Sequence, residues 1–428
     1  MTLALAAGLS LPDRRDYPWS VQKTRKLPMR LPVLFILITV VIDAMGIGLI
    51  LPVMPDLIRE TTGGSLAQAA VWGGILSTAF AAMQFLFGPI LGALSDRFGR
   101  RPVLLTSLLV MAADYLVMAL AGSIWLLLAG RIVGGITAAT HSTASAYMAD
   151  ISQPHEKARN FGLIGAAFGV GFVLGPVIGG LLAEWGTRAP FIAAALLALA
   201  NAGFGWLVLR ETVTDRIRRP FTWRRANPFG AIRAVSRLAG VGTLIWVYFL
   251  YHFATVVYPA IWAYFTAERF GWSPGLIGIS LAVYGLSLAV VQGTLIGPAI
   301  RAFGEARTVL LGLVIEVVSL VILGFISSGV LLLLLIPVTA LGAIGLPALQ
   351  GILSRAVADN AQGELQGVLT SLTAVAMVLA PLVMTQTFAS FTRAEAALYL
   401  PGAPFLLSAA IMALATVIYQ LRGRRIAH

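Results

Sequence analysis

From residue 33 to residue 421 the chain is a succession of long apolar runs separated by short polar breaks. No stretch alternates apolar and polar residues as a membrane-barrel strand would. A helix needs about 20 apolar residues to cross the hydrocarbon core of a bilayer. Runs of that length predict helical spans over 33–52, 70–94, 103–122, 124–148, 160–182 and 189–209, then 241–265, 275–299, 308–327, 329–352, 366–390 and 396–421. Gly122 and Ser328 mark very short turns, and the longest polar interruption, 210–240, divides the spans six and six. The expected fold is an all-α membrane protein of twelve transmembrane helices in two pseudo-symmetric six-helix bundles, over 31–209 and 241–421.

Composition agrees. Of 428 residues, 58% are apolar and 11% charged, which leaves far more apolar surface than a soluble domain buries. The net charge of +12 suits a nucleic-acid partner only if it gathers on one folded surface, and it does not. Of 30 Lys and Arg, 25 lie in the two tails and in the loops on their side; Arg59, Arg188, Arg269 and Arg393 lie in the opposite loops, and Arg131 lies inside a span. Basic loops stay in the cytoplasm. Both termini are therefore expected inside, with 1–30 and 422–428 as cytoplasmic tails, 210–240 as a cytoplasmic central loop, and no nucleic-acid partner. The first 28 residues lack the cleavage site of a signal peptide, and Met29 offers an alternative start. With no cysteine, disulfides and thiol chemistry are excluded.

The second half echoes the first. Gly88-Pro89 followed by Phe98-Gly99 and Val103-Leu104-Leu105 is matched by Gly297-Pro298 followed by Phe303-Gly304 and Val309-Leu310-Leu311. The polar loop ending at Phe161-Gly162 is matched by one ending at Gln366-Gly367. Tandem membrane halves with a site between them are a secondary-transporter architecture.

Four ionisable residues lie at membrane depth: Asp43, Asp114, Arg131 and Glu316. Such groups are costly there, so they face a partner or a water-filled cavity, and an acid in apolar surroundings has a raised proton affinity. Asp43, Asp114 and Glu316 are thus candidate proton-coupling acids, with Arg131 a fixed counter-ion within reach of Asp114. Glu316 has no basic residue within a helical turn of it and is expected to face a central cavity. Gln84, His141, Asn201, His252, Gln292 and Gln350 interrupt apolar spans; of these Gln84, His141, Gln292 and Gln350 are candidate cavity residues. Trp246, Tyr248, Tyr251, Tyr258, Trp262 and Tyr264 concentrate on the seventh span, where those facing the cavity would stack on a planar ligand.

The loop Gly92-Ala93-Leu94-Ser95-Asp96-Arg97-Phe98-Gly99-Arg100-Arg101 places one acid and three arginines in a turn of a few residues. Asp96 can pair with an arginine or cap the next helix. This string resembles the signature loop of the major facilitator superfamily, where it implies a latch that forms and breaks as the protein changes state. Arg131, Gly135 and Ala139 resemble that family's arginine motif. Gly162, Gly171, Gly175, Pro176, Gly179 and Gly180 have the spacing of its antiporter motif; glycines allow close helix approach and a proline invites a bend.

Asp43-Ala44-Met45-Gly46-Ile47-Gly48-Leu49-Ile50-Leu51-Pro52, Gly278-Ile279-Ser280-Leu281 and Gly345-Leu346-Pro347-Ala348-Leu349-Gln350 are similar to bacterial tetracycline/proton antiporters. Two positions depart: Leu288 stands where those exporters place His, and Glu316 where they place Asp. The resemblance implies a monomeric exporter of a small amphipathic drug in exchange for protons, in the bacterial inner membrane, without cofactor or metal. A sugar or metabolite symporter is the alternative. The chain lacks the phosphate-binding loop of an ATP-driven pump and the paired-histidine motif of a membrane metalloprotease, and no enzymatic activity is expected.

Overall fold

In the computed structural model, residues 31–138, 140–213, 218, 220–223, 227–228, 240–358 and 361–423 are described, the side chains of 158, 422 and 423 excepted. The expected N-terminal tail, residues 424–428 of the C-terminal one, most of the central loop and Ala139 lie outside them.

Among the described residues, twelve helices are long and apolar enough to cross a membrane. They are α1 (Leu31–Ile50), α2 (Leu66–Phe98), α3 (Arg100–Leu120), α4 (Ile124–Thr137 and Thr140–Ile151), α5 (Lys157–Leu182) and α6 (Ala189–Val208) in the first half. The second half has α7 (Gly242–Thr255 and Val257–Phe270), α8 (Pro274–Val290, a π-turn Val291–Leu295, and Ile296–Phe303), and α9 (Glu305–Phe325). It closes with α10 (Gly329–Thr339, a 3-10 turn Ala340–Ile344, and Gly345–Arg355), α11 (Gln362–Thr392) and α12 (Ala403–Ile418, extended by a π-turn). The spans predicted from the sequence are found within a few residues, with one larger shift. α12 begins at Ala403 rather than 396, because Pro401-Gly402 disfavours helix before it and Tyr399 instead donates to Glu268 at 2.8 Å.

The helix ends repeat as the sequence does. At the end of the molecule opposite the basic loops, α2, α4, α8 and α10 start on Ser65, Ser123, Ser273 and Ser328, each hydroxyl accepting from the backbone N–H three residues on. Such caps satisfy amides that lipid cannot. At the basic end α2 turns into α3 through Gly99 (φ 117°), and α8 into α9 through Gly304 (φ 73°), a backbone that glycine adopts without penalty. Helices at equivalent positions are also interrupted alike. α1 gives way at Leu51 to a short helix, Met54–Thr62, as α7 breaks at Val256; α4 breaks after Thr137 as α10 does at Ala340. Broken helices free backbone groups, a cost tolerated where they border a cavity.

The two halves meet at the end away from the basic loops. Thr78 of α2 donates to the Val378 carbonyl of α11 at 2.8 Å. Gly73 of α2 seats the Tyr264 hydroxyl of α7, and a β-carbon on Gly180 of α5 would come within 2.5 Å of the Pro274 carbonyl of α8. Nearer the basic end, Gly88, Gly92, Gly162, Gly165, Gly169, Gly293 and Gly363 have no atom within 4 Å of where a β-carbon would sit. The Thr78, Gly73 and Gly180 contacts between the halves lie at the end away from the basic loops.

Candidate transport site

Asp43 of α1 and Asp114 of α3 both lie in the electrostatic surroundings of the Tyr115 hydroxyl. The ring passes close by because Gly46 has no side chain to displace it. Asp114 is buried and ion-paired with Arg131 of α4. A β-carbon on Gly130 or Gly134 would come within 2.8 or 2.7 Å of its carboxylate, so the glycines of α4 make the space for the acid. Arg131 also lies over the Phe80 ring of α2 at 5.1 Å, a cation–π contact of about 1–2 kcal/mol away from water. One oxygen of Asp114 and Nε of Arg131 remain buried without a hydrogen-bond partner among the described residues.

Glu316 of α9 takes a different position from the expected one. It is 3% exposed and does not open onto the cavity. Its carboxylate lies against Gly342, in the 3-10 turn of α10, and α9 approaches α10 closely enough for a β-carbon on Gly312 to meet the Gly345 amide at 2.5 Å. Tyr251, Tyr258 and Tyr284 share its electrostatic surroundings, and the Tyr258 hydroxyl is buried without a hydrogen-bond partner among the described residues. No cation among the described residues bears on the acid. The three acids are thus not gathered at one place: two bear on Tyr115 in the first half, and the third is enclosed in the second.

The four polar cavity candidates are all exposed. Gln84 donates to the Ala138 carbonyl at the break in α4, at 3.5 Å, and His141 follows that break edge-on to Phe168 at 5.7 Å. Gln84 precedes Gly88 by four residues and Gln292 precedes Gly297 by five. The extra residue falls in the π-turn Val291–Leu295, the way an α-helix absorbs an insertion. Gln350 lies in the last segment of α10. Leu288 is half-buried in α8, just before the π-turn. The seventh-span aromatics do not form a stacking surface on the cavity. Tyr248, Tyr251, Trp262 and Tyr264 are buried, Trp262 donating to Ser280 at 2.8 Å; Trp246 is exposed on the outer surface.

The signature loop is a knot within the first half. Arg100 bridges Asp96 at 2.6 Å and Asp150 of α4 at 3.2 Å. Arg101 donates to the Trp206 carbonyl at 2.9 Å and lies over its ring. Between the two roles open to Asp96, pairing is the one it takes. The start of α3 is capped by Glu211 instead, which accepts from the amides of Arg100 and Arg101 at 2.9 and 3.2 Å. Gly92 borders open space beside the loop, Gly99 makes the turn, and Arg97 stacks on Phe98.

The antiporter-motif glycines divide by partner. Gly171, Gly175 and Gly179, one turn apart, rest on the α1 backbone; a β-carbon on Gly175 would come within 2.5 Å of the Met45 carbonyl oxygen. Pro176 fits between Gly48 of α1 and Gly278 of α8, Gly180 meets α8, and Gly162 touches neither. Sequence reasoning missed Tyr115, Tyr284, Asp150 and Glu211. Each is an ordinary residue whose role comes from what folds against it.

The sequence profile of the Major Facilitator Superfamily matches residues 36–255 and again 244–425. The chain is 44% identical to the class C tetracycline resistance protein of Escherichia coli, over 83% of this chain and 89% of that protein. It is 40% identical to the class G tetracycline resistance protein of Vibrio anguillarum, over 85% and 91%. Among solved structures it resembles the human organic anion transporter MFSD10, with a TM-score of 0.66 and 25% identity over 92% of this chain and all of that one. The chain belongs to the Major Facilitator Superfamily, within the family of the bacterial tetracycline resistance proteins.

Proposed function

We propose that this protein exports a small amphipathic drug of the tetracycline kind from the cytoplasm in exchange for protons, by alternating access. It works as a monomer in the bacterial inner membrane with both termini cytoplasmic. The observation that carries the coupling is Glu316, an acid enclosed by apolar and phenolic groups with no cation beside it. An acid so placed, with no fixed counter-charge, is suited to exchange a proton when water or substrate reaches it. Asp43 and the Asp114–Arg131 pair serve the proton route in the first half.

The distribution of arginines supports placing the basic end in the cytoplasm, where drug enters the cleft. The knot at Asp96, Arg100 and Asp150 acts as the conformational latch, with Gly92, Arg97, Gly99 and Arg101 shaping it. Gln84, His141, Gln292 and Gln350 line the drug's path. Release of the drug to the periplasm follows protonation, and loss of the proton to the cytoplasm resets the site.

Everted vesicles test this reading. With an imposed pH gradient, tetracycline added outside should collapse part of that gradient and accumulate within. Accumulation without proton movement, or proton movement in the same direction as the drug, would contradict exchange.

A further inference from the structure

Helix α5 presents distinct sides at helical spacing. Gly171, Gly175 and Gly179 meet α1, and Val173, Pro176 and Gly180 meet α8. Leu163, Val170, Leu174 and Leu181 are exposed on the outer surface. Between the α1 line and the α8 line, at 3.6 residues per turn, fall Phe168 and Phe172. That sector lies between α1 of one half and α8 of the other, on the side away from the exposed apolar line. The two rings are stacked, with centroids 6.2 Å apart and planes 13° from parallel, and His141 of α4 closes the row edge-on at 5.7 Å. Beside them Gly165 and Gly169 border open space, with no atom within 4 Å of where a β-carbon would sit. The rings therefore have room next to them. His141 is exposed on a membrane-spanning helix, which places its imidazole in water rather than lipid.

We infer that Phe168 and Phe172, with His141 as the polar end of the row, form the surface on which the fused rings of the drug stack. This rests on the drug-export reading and names its recognition element. The two rings and the imidazole make an aromatic row longer than one benzene ring, with ring faces and edges for an apolar multi-ring ligand to pack on, which suits such a ligand better than a sugar. The imidazole supplies a hydrogen-bonding group at one end, complementary to a ligand apolar along its length and polar at its margin. In the seventh span, by contrast, Tyr248, Tyr251, Trp262 and Tyr264 are buried in packing.

Tetracycline titrated into purified protein, read by intrinsic fluorescence quenching, tests the inference on wild type, Phe168→Leu, Phe172→Leu and Phe168→Tyr. Each Leu variant should bind roughly threefold to tenfold more weakly, the range of one aromatic stacking contact, and Phe168→Tyr should bind as wild type. Protons released per drug bound should not change, since no titrating group is altered. Leu variants that bind like wild type would overturn the stacking surface while leaving export standing. A folded wild type that binds no tetracycline would overturn the reading of the substrate and the surface with it. If the Leu variants do not fold, photolabelling of the wild type with tetracycline decides: label within residues 157–182 supports the surface, and label confined elsewhere removes it.

Discussion

Arg355 at the end of α10 donates to Glu305 at the start of α9 at 2.7 Å, the charge-reversed image of the Arg100 and Asp150 pair at the same positions of the first half. Each pair is separated by 50 residues. The fold keeps the bridge between the third and fourth helices of each half and exchanges the signs. The environments differ: the Arg100 side chain is 14% exposed and that of Arg355 is 61%. An exposed bridge contributes about 0–1 kcal/mol, so Arg355→Ala should leave expression and transport within about twofold of wild type. Arg100→Ala should lower transport well below that, because it strips two acids of their partner at once. Paired uptake measurements in vesicles would show whether the two halves differ in this way.

Asp96→Asn should reduce transport while leaving insertion and drug binding intact. Removing a half-buried charge worth about 1 kcal/mol shifts a two-state balance about fivefold. Fluorescence-detected binding alongside initial transport rates separates the two effects; undiminished transport would reduce the loop to a topology anchor.

The glycines of α5 should not respond alike. Gly175→Leu drives a side chain into the α1 backbone, where overpacking costs about 1–3 kcal/mol or more, and should cost expression or transport. Gly162→Ala meets open space and should be neutral or slightly stabilising, since alanine favours helix by about 1 kcal/mol over glycine. Thermal melting of the detergent-solubilised variants gives the order.

Glu316→Gln should fold, bind drug and lose proton-coupled export, and Glu316→Asp should keep part of it. Gly342→Ala should resemble a weakened Glu316 variant, because its methyl group takes the place of the carboxylate. The readout is drug-induced proton release from purified protein. Release that persists unchanged in a folded Glu316→Gln protein would move coupling to Asp43.

Arg131→Gln should be more damaging than the double change Arg131→Gln with Asp114→Asn. Taking the arginine alone leaves a buried acid uncompensated, at about 3–5 kcal/mol in soluble proteins. Expression and melting temperature of the two variants side by side check the sign.

The apolar runs and the arginine distribution determined the twelve spans, because span length is set by bilayer thickness and not by what a helix packs against. The repeat was legible for a similar reason: one-residue glycine turns at Gly99 and Gly304 demand a backbone few other residues adopt. The signature loop and the α5 glycines were legible as motifs of a family. Ion pairing of Asp114 with Arg131 was within reach as well, since few charges occur at membrane depth and each needs a partner.

Only the tertiary structure decided where the acids sit. Glu316 was expected on the cavity because lipid was excluded. Three tyrosines and Gly342, from three other helices, provide an enclosure that no local pattern announces. The cap on α3 likewise comes from Glu211, over 100 residues away, although Asp96 was the nearer candidate. The stacked rings of α5 stand out from the other aromatics only once the helices on either side of them are known. Side-chain direction around a helix follows from the sequence; which direction holds lipid, protein or open cleft is a property of the assembled bundle.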